Sequence, residues 1–195
     1  MNAKLIALTP ITLFMSSTLS VNAATFIYTD KTDWESSLGG QFLTEDFAGG
    51  QLNNTGVSYV STSSGHINPA QENYQDVLTY HSATEPMTTW SFSPAINAYG
   101  GDWTLGGPGG SGNSLQVYVD SDYVGYISNS YGGEFWGLIS DIPFTSVELR
   151  GGTGSNQQHY NLDNMVFSPV PIPGVVWLFG TGLIGLLSIA RRKRV

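Results

Sequence analysis

Leu115-Gln116-Val117-Tyr118-Val119-Asp120-Ser121-Asp122-Tyr123-Val124-Gly125-Tyr126-Ile127 carries the clearest strand periodicity in the chain. Leu115, Val117 and Val119 alternate with Gln116, Tyr118 and Asp120, the pattern of a strand with one face in a core. Asp120-Ser121-Asp122 is a turn cluster, and Tyr123 to Ile127 returns as a partner strand, so the unit reads as a β-hairpin. Downstream, Phe135–Ile139 is a continuous apolar run suited to a central strand, Phe144–Leu149 alternates again, and Leu162–Phe167 is a last strand. Upstream, Thr88, Trp90 and Phe92 alternate with polar or small residues, with Trp90 and Trp136 as core residues. Further strands are expected at Thr25–Thr29, Phe42–Phe47, Val57–Thr62 and Asp76–His81. Thr32-x-x-Glu35 has capping-box spacing and predicts one short helix through Trp34 and Leu38, stopped by Gly39-Gly40. Gly, Asn and Asp punctuate the gaps, notably Gly106-Gly107-Pro108-Gly109-Gly110 and Gly151-Gly152-Thr153-Gly154. Eight or more short strands with one helix predict an all-β domain, an antiparallel β-sandwich of jelly-roll type.

Composition agrees with that class. The 195 residues include 24 glycines, 12% aromatics and only 11% charged residues, and no cysteine. A disulfide framework and thiolate metal sites are therefore excluded. Charge is placed unevenly. Of the seven basic residues only Lys31 and Arg150 lie within 24–168, against all 15 acidic ones, so that stretch stands at −13. Such a field repels nucleic acid and anionic lipid.

The ends differ from the middle. Lys4, the mostly apolar run Leu5–Met15, and Val21-Asn22-Ala23 with small residues at its ends have the three-part order of a signal peptide, residues 1–23, with cleavage between Ala23 and Ala24. Segment 24–168 is then the extracytoplasmic domain. Residues 169–195 form a tail in three parts. Val170-Pro171-Ile172-Pro173 is an extended spacer that prolines keep out of a helix. Gly174–Ala190 is 17 mostly apolar residues, enough for a short transmembrane helix. Arg191, Arg192, Lys193 and Arg194 are a stop that stays cytoplasmic. Left uncut, the same tail would serve as a membrane anchor.

The order Val170-Pro171-Ile172-Pro173, Trp177-Leu178-Phe179-Gly180, Gly182–Leu187, then the basic stop resembles the PEP-CTERM sorting signal in its V-P-x-P form. The usual Pro-Glu-Pro is here Pro171-Ile172-Pro173, without the acid. The resemblance implies a Gram-negative-type envelope and an exosortase-type membrane protease or transpeptidase as partner. It also implies an inner-membrane precursor, and a mature protein at the cell surface or in an exopolysaccharide biofilm matrix. Thr32-Asp33-Trp34, Thr44-Glu45-Asp46-Phe47, Ala98-Tyr99-Gly100-Gly101-Asp102-Trp103 and Leu162–Phe167 are similar to short stretches of ectodomains that precede such tails.

Catalytic chemistry is hard to find in the residues. Gly109-Gly110-Ser111-Gly112-Asn113 breaks the G-x-S-x-G pattern at its last position, and His66, His81 and His159 are scattered. Glu45 and Asp46 are adjacent, so on a strand they face opposite sides. A non-enzymatic protein is expected, with no catalytic residues. Two binding chemistries stay open. Asp102, Asp120, Asp122 and Asp163 lie near strand ends and offer hard oxygens to a structural Ca²⁺, although aspartate at a turn also serves its own backbone. Tyr118 and Tyr126 fall opposite Val117 and beside Gly125, which places them on an exposed face able to take a glycan. Three functions are thus in view: an exported surface or matrix protein, a lectin-like carbohydrate-binding module, and a small secreted hydrolase.

Overall fold

The computed structural model describes residues 24–78, 88–106, 114–128, 130–151 and 158–170. The expected signal segment 1–23, and Pro171 onward with the expected membrane helix and basic stop, lie outside the described residues. Among the described residues no helix is long and apolar enough to cross a membrane.

The described chain is mostly antiparallel β-structure with a single short helix. In order it runs β1 (Thr25–Tyr28), α1 (Lys31–Ser37), β2 (Leu43–Glu45), a 3-10 turn (Ala48–Gly50), β3 (Val57–Ser61), β4 (His66–Asn68), β5 (Asn73–Leu78), β6 (Thr88–Gly106), β7 (Leu115–Val119), β8 (Asp122–Ile127), β9 (Gly132–Gly151) and β10 (Gln158–Pro169). The backbone of the sheet is β4-β5-β10-β6-β9-β7-β8, with β1 added to β9, β2 to β10 and β3 to β6.

The strands are not all short, as the sequence led us to expect. β6 has 19 residues and β9 has 20, and the second of these joins two runs that read as separate strands. Both turn a corner. Thr88–Ser91 pairs with Ser146–Leu149; the register then slips, and Ala98–Thr104 pairs with Gly132–Ile139. Pro94 and Pro143 sit in the slipped segments, where a residue without an N–H breaks the ladder. Beyond the corner β6 pairs with β10, and before it with β3. The sheet therefore doubles over. One layer is β4-β5-β10-β6-β9-β1 and the other β3-β6-β9-β7-β8, a β-sandwich-like arrangement that shares its two central strands.

Between the layers lies one apolar cluster that includes Trp90, Phe92, Tyr99, Trp103, Trp136, Phe144 and Phe167, all buried. Trp90 and Trp136 are core residues, as the sequence led us to expect. Trp103 joins them and donates its indole N–H to the Trp136 carbonyl at 3.1 Å. At the end away from the corner, a polar group crosses the core. Asp76 is buried, and its Oδ2 accepts from Ser61 Oγ at 2.8 Å, Thr88 Oγ1 at 2.8 Å and the Tyr74 hydroxyl at 3.3 Å. Tyr160 lies 2.6 Å from Thr88 Oγ1. Burial holds the Tyr74 and Tyr160 hydroxyls above their ordinary range, so both stay protonated and able to donate.

Helix α1 covers the outer face of the first layer. Its N-cap is Asp30, whose carboxylate accepts from the Asp33 amide at 3.0 Å, rather than Thr32 as the capping-box spacing predicts. Asp30 wins because it already stands in extended geometry directly before the first helical residue. Trp34, fully buried, donates its indole N–H to the Leu138 carbonyl at 3.1 Å and meets Phe135 and Phe42 edge-on. Gly100 and Gly137, paired across β6 and β9, make the flat seat beneath. A Cβ on Gly137 would stand 2.8 Å from Phe135 Cζ and 3.1 Å from Trp34 Nε1. Gly137→Ala is therefore expected to cost about 1–3 kcal/mol, the range for overpacking. Gly106→Ala, with nothing within 4 Å of its Cβ, should change stability by less than about 0.5 kcal/mol. Urea unfolding midpoints of the two variants check this; equal midpoints would remove the seat from the account.

Candidate functional site

The hairpin builds the most exposed aromatic surface described. In β7, Leu115, Val117 and Val119 point inward, so Gln116 and Tyr118 stand on the outer face of the second layer. β8 returns after a turn of two residues, since Val119 pairs directly with Asp122, which belongs to the strand and not to the turn. Asp120 and Ser121 take positive φ (45° and 76°), the backbone that the twist of a tight hairpin favours.

A bulge then rephases β8. Val117 pairs with Gly125 while Tyr118 pairs with Tyr123, so Val124 is an extra residue and turns into the core. As a result Tyr123 and Tyr126, three apart in sequence, share the outer face. Tyr126, paired with Gln116, is 60% exposed and Tyr123 is 56% exposed. Tyr118 lies between them, edge-on to Tyr123 with ring centroids 5.4 Å apart. Its hydroxyl donates to Gln116 Oε1 at 2.9 Å. β9 completes the surface: Arg150 lies 3.9 Å over the Tyr118 ring and pairs with Glu148 at 2.6 Å. Tyr118 and Tyr126 are thus brought to one face, as the alternation implied. Tyr123 was missed there because strict alternation assigns it to the side opposite Tyr126. The available signal was Gly125, since a glycine inside a strand marks a bulge.

Beside the platform, at the corner, a cleft of about 610 Å³ opens between β1, β8 and β9. Thr25, Tyr123, Ser140, Ile142 and Phe144 are among its walls, so Tyr123 stands between platform and cleft.

The four aspartates do not converge. Asp120 is consumed by its surroundings: its Oδ1 accepts from the Ser146 amide at 2.8 Å and the Ser146 hydroxyl at 3.0 Å, and from Thr145 as well. This ties the hairpin turn to β9, the turn chemistry weighed against calcium. Asp122 begins β8, on the same hairpin. Asp102 and Asp163 belong to the other layer, where they are cross-strand partners on β6 and β10. Asn164 donates to Asp102 Oδ2 at 3.0 Å, and Lys31 lies 3.9 Å from the same oxygen. Among the described residues no group of three or more acids and histidines is arranged to hold a metal ion. Glu45 and Asp46 face opposite ways as adjacency requires: Glu45 is buried, accepting from the Asn53 and Asn54 amides at 2.9 and 2.8 Å, and Asp46 is exposed. The Ala48 amide and the Asn53 side chain lower the pKa of Asp46.

The two ends of the described domain come close. Ala24 extends β1, and Thr25 pairs with Ser140; Ile139 pairs with Ala98, and Ala98 with Ser168. Ala24 and Val170 therefore lie at the same end of one layer, three strands apart, or about 14 Å at the usual strand spacing. The Ala24 nitrogen donates to Asp141 Oδ1 at 2.8 Å, and the Asp141 amide returns a bond to the Ala24 carbonyl at 3.1 Å. The Val170 amide donates to the Ala95 carbonyl at 3.1 Å. Pro171, Ile172, Pro173, Ala23 and the basic stop lie outside the described residues.

No protein-family model matches the chain, and no curated protein is significantly similar to it.

The aspartate pair yields a test. Burial pushes the Asp163 carboxyl above its usual range; the Asn164 amide draws it down, and neighbouring Asp102 pushes it up again. A carboxyl raised in the folded state costs stability when ionised, and the cost fades as pH falls through the folded value. Asp163→Asn should therefore raise Tm at pH 7, and the gain should shrink in acid. A Ca²⁺ ion held by Asp102 and Asp163 predicts the reverse, a Tm that falls on Asp163→Asn in millimolar calcium but not in chelator.

Proposed function

We propose that the chain is the precursor of an exported, non-enzymatic cell-surface or extracellular-matrix protein. In this reading residues 1–23 are removed after Ala23, and 24–168 is the extracytoplasmic domain, a β-sandwich of jelly-roll type. Residues 169–195 are a PEP-CTERM-like tail that holds the precursor in the inner membrane. An exosortase-type enzyme then acts at Val170–Pro173. The order of segments in the sequence is the basis. The observation that supports it most is the shared pole of Ala24 and Val170, because a leader and a tail that both engage one membrane are best tethered at one end of the domain.

The hydrogen bond at Ala24 supports the cut after Ala23. Cleavage there turns the Ala24 amide into an ammonium group already 2.8 Å from Asp141 Oδ1, and a charge-assisted bond is stronger than the neutral one it replaces. The new N-terminus would thus be received by β9. The hydrolase reading has less support, because of the two acids on the cleft wall, Asp120 and Asp122, the first is tied up by Thr145 and Ser146. The lectin-like reading is favoured by the tyrosine platform.

Mass spectrometry of protein from native cells should find Ala24 first and a C-terminus within or beside Val170–Pro173. Changing Pro171 and Pro173 together to Ala should leave an inner-membrane precursor, because a helix continued through the spacer protects the bond to be cut. Recovery of that variant outside the cell, trimmed like the wild type, would reduce the tail to an anchor. Separately, a chain beginning at Ala24 should be more stable than one retaining Ala23, and Asp141→Asn should remove that difference. The effect should be small, as for any exposed ion pair, and smaller still at high salt.

A further inference from the structure

We propose that the outer face of β7, β8 and β9 binds a neutral polysaccharide chain, with Tyr123 and Tyr126 as its stacking rings. The proposal names a ligand class for the lectin-like reading, and it rests on that reading. Four observations carry it.

The rings are available. Tyr123 and Tyr126 are more than half exposed while every tryptophan of the described domain is buried; among the described aromatic residues only Phe26, on β1, is comparably exposed, so two of the three most exposed rings share this one face. The bulge at Val124 is what puts both rings there.

The platform is also held rigid. Tyr118 is fixed from three sides, by Tyr123 edge-on, by Arg150 at 3.9 Å over its ring and by the bond from its hydroxyl to Gln116. Ser121 Oγ donates to Glu148 Oε1 at 3.2 Å, and Glu148 holds Arg150. A surface ordered before binding loses less entropy when it binds.

The chemistry is mixed in the way a sugar ring is mixed. A pyranose presents a C–H face, which packs on an aromatic ring, and a rim of hydroxyls, which need both donors and acceptors. Here the rings are bordered by the Gln116 amide, the Glu148 carboxylate and the Arg150 guanidinium. A protein partner would instead be expected to seek a larger continuous apolar core.

The charge selects among polysaccharides. Glu148 and Arg150 cancel at the platform, but the stretch 24–168 stands at −13. Polymers of uronic acids or other anions would meet repulsion from the whole domain. Neutral glucans and mannans would not.

Affinity electrophoresis of the full chain in mild detergent tests this, in gels containing a soluble β-glucan, a galactomannan or alginate. We expect retardation by at least one of the neutral polymers and none by alginate. Tyr123→Ala and Tyr126→Ala should each weaken the retardation about tenfold, roughly the loss of one stacking contact. Tyr126→Trp should keep it, which separates a stacking role from a folding one; unchanged Tm values for all variants give a second control. The proposal is overturned if neither neutral polymer retards the wild type, if alginate alone does, or if both alanine variants bind as the wild type does. It is also overturned if light scattering shows a dimer that Tyr126→Ala turns into a monomer, since the face would then be an interface between copies. Export plays no part in the assay, so a failed cut after Ala23 would not bear on the result.

Discussion

The corner in β6 and β9 is the constraint on which the rest depends. Two strands of 19 and 20 residues form the middle of both layers, so neither layer exists without the other. On β6 the inward residues before the corner are Trp90, Phe92 and Ile96; after it they are Tyr99, Trp103 and Leu105. The parity changes from even to odd. On β9 it changes in the same sense along the chain, from Trp136, Leu138 and Phe144 to Val147 and Leu149. The ladder slips twice there, once on each side of the Ile96–Phe144 pair. A strand that bent without slipping would carry half its aromatics to the solvent side. Pro94 and Pro143 mark the segments where the ladder is released, so the corner is written in the sequence by the residues that cannot donate.

From that corner follow the places where other parts attach. The outer face of the first layer would be left bare by the fold, and Gly100 with Gly137 gives it a flat site on which Trp34 and Phe135 rest. The polar group of Asp76, Thr88 and Tyr160 closes the far end, where β6 begins in one layer and β10 begins in the other. A carboxylate buried without a cation would be costly, and its several hydroxyl and amide donors offset that cost. The corner end carries Ala24, Asp141 and Val170 instead. The domain thus has one end sealed by hydrogen bonds and one end where the chain enters it at Ala24 and leaves it at Val170.

Local features were legible and long-range ones were not. The hairpin at Leu115–Ile127 and the core role of Trp90 follow from periodicity, the helix around Trp34 from its capping-box spacing, and the core role of Trp136 from a continuous apolar run. The length of β6 and β9 was hidden by the parity changes, since Ala98–Trp103 continues Trp90 only after a slip that pattern-reading takes for an end. Gly100 and Gly101 strengthened that impression, although here they are close-approach positions within a strand. The cross-strand meeting of Asp102 and Asp163 needed the register of β6 on β10. Tyr118 and Tyr126 were legible on the platform, and Tyr123 was not, because one extra residue at Val124 moves a side chain from one face to the other.

A slip of register, three residues at the corner and one on β8, therefore serves both the fold and the candidate site. At the corner, a slip lets one strand keep its aromatics inside while changing layers. At β8, an edge strand, a slip does the opposite and brings two rings out together. Exposed rings on an edge strand invite pairing with another chain. Here Asp122 at the start of β8 and the strongly negative domain oppose that, since two copies of the domain repel each other. The face is left open to a partner that carries no charge and does not compete for strand pairing. The neutral polysaccharide proposed above has both properties.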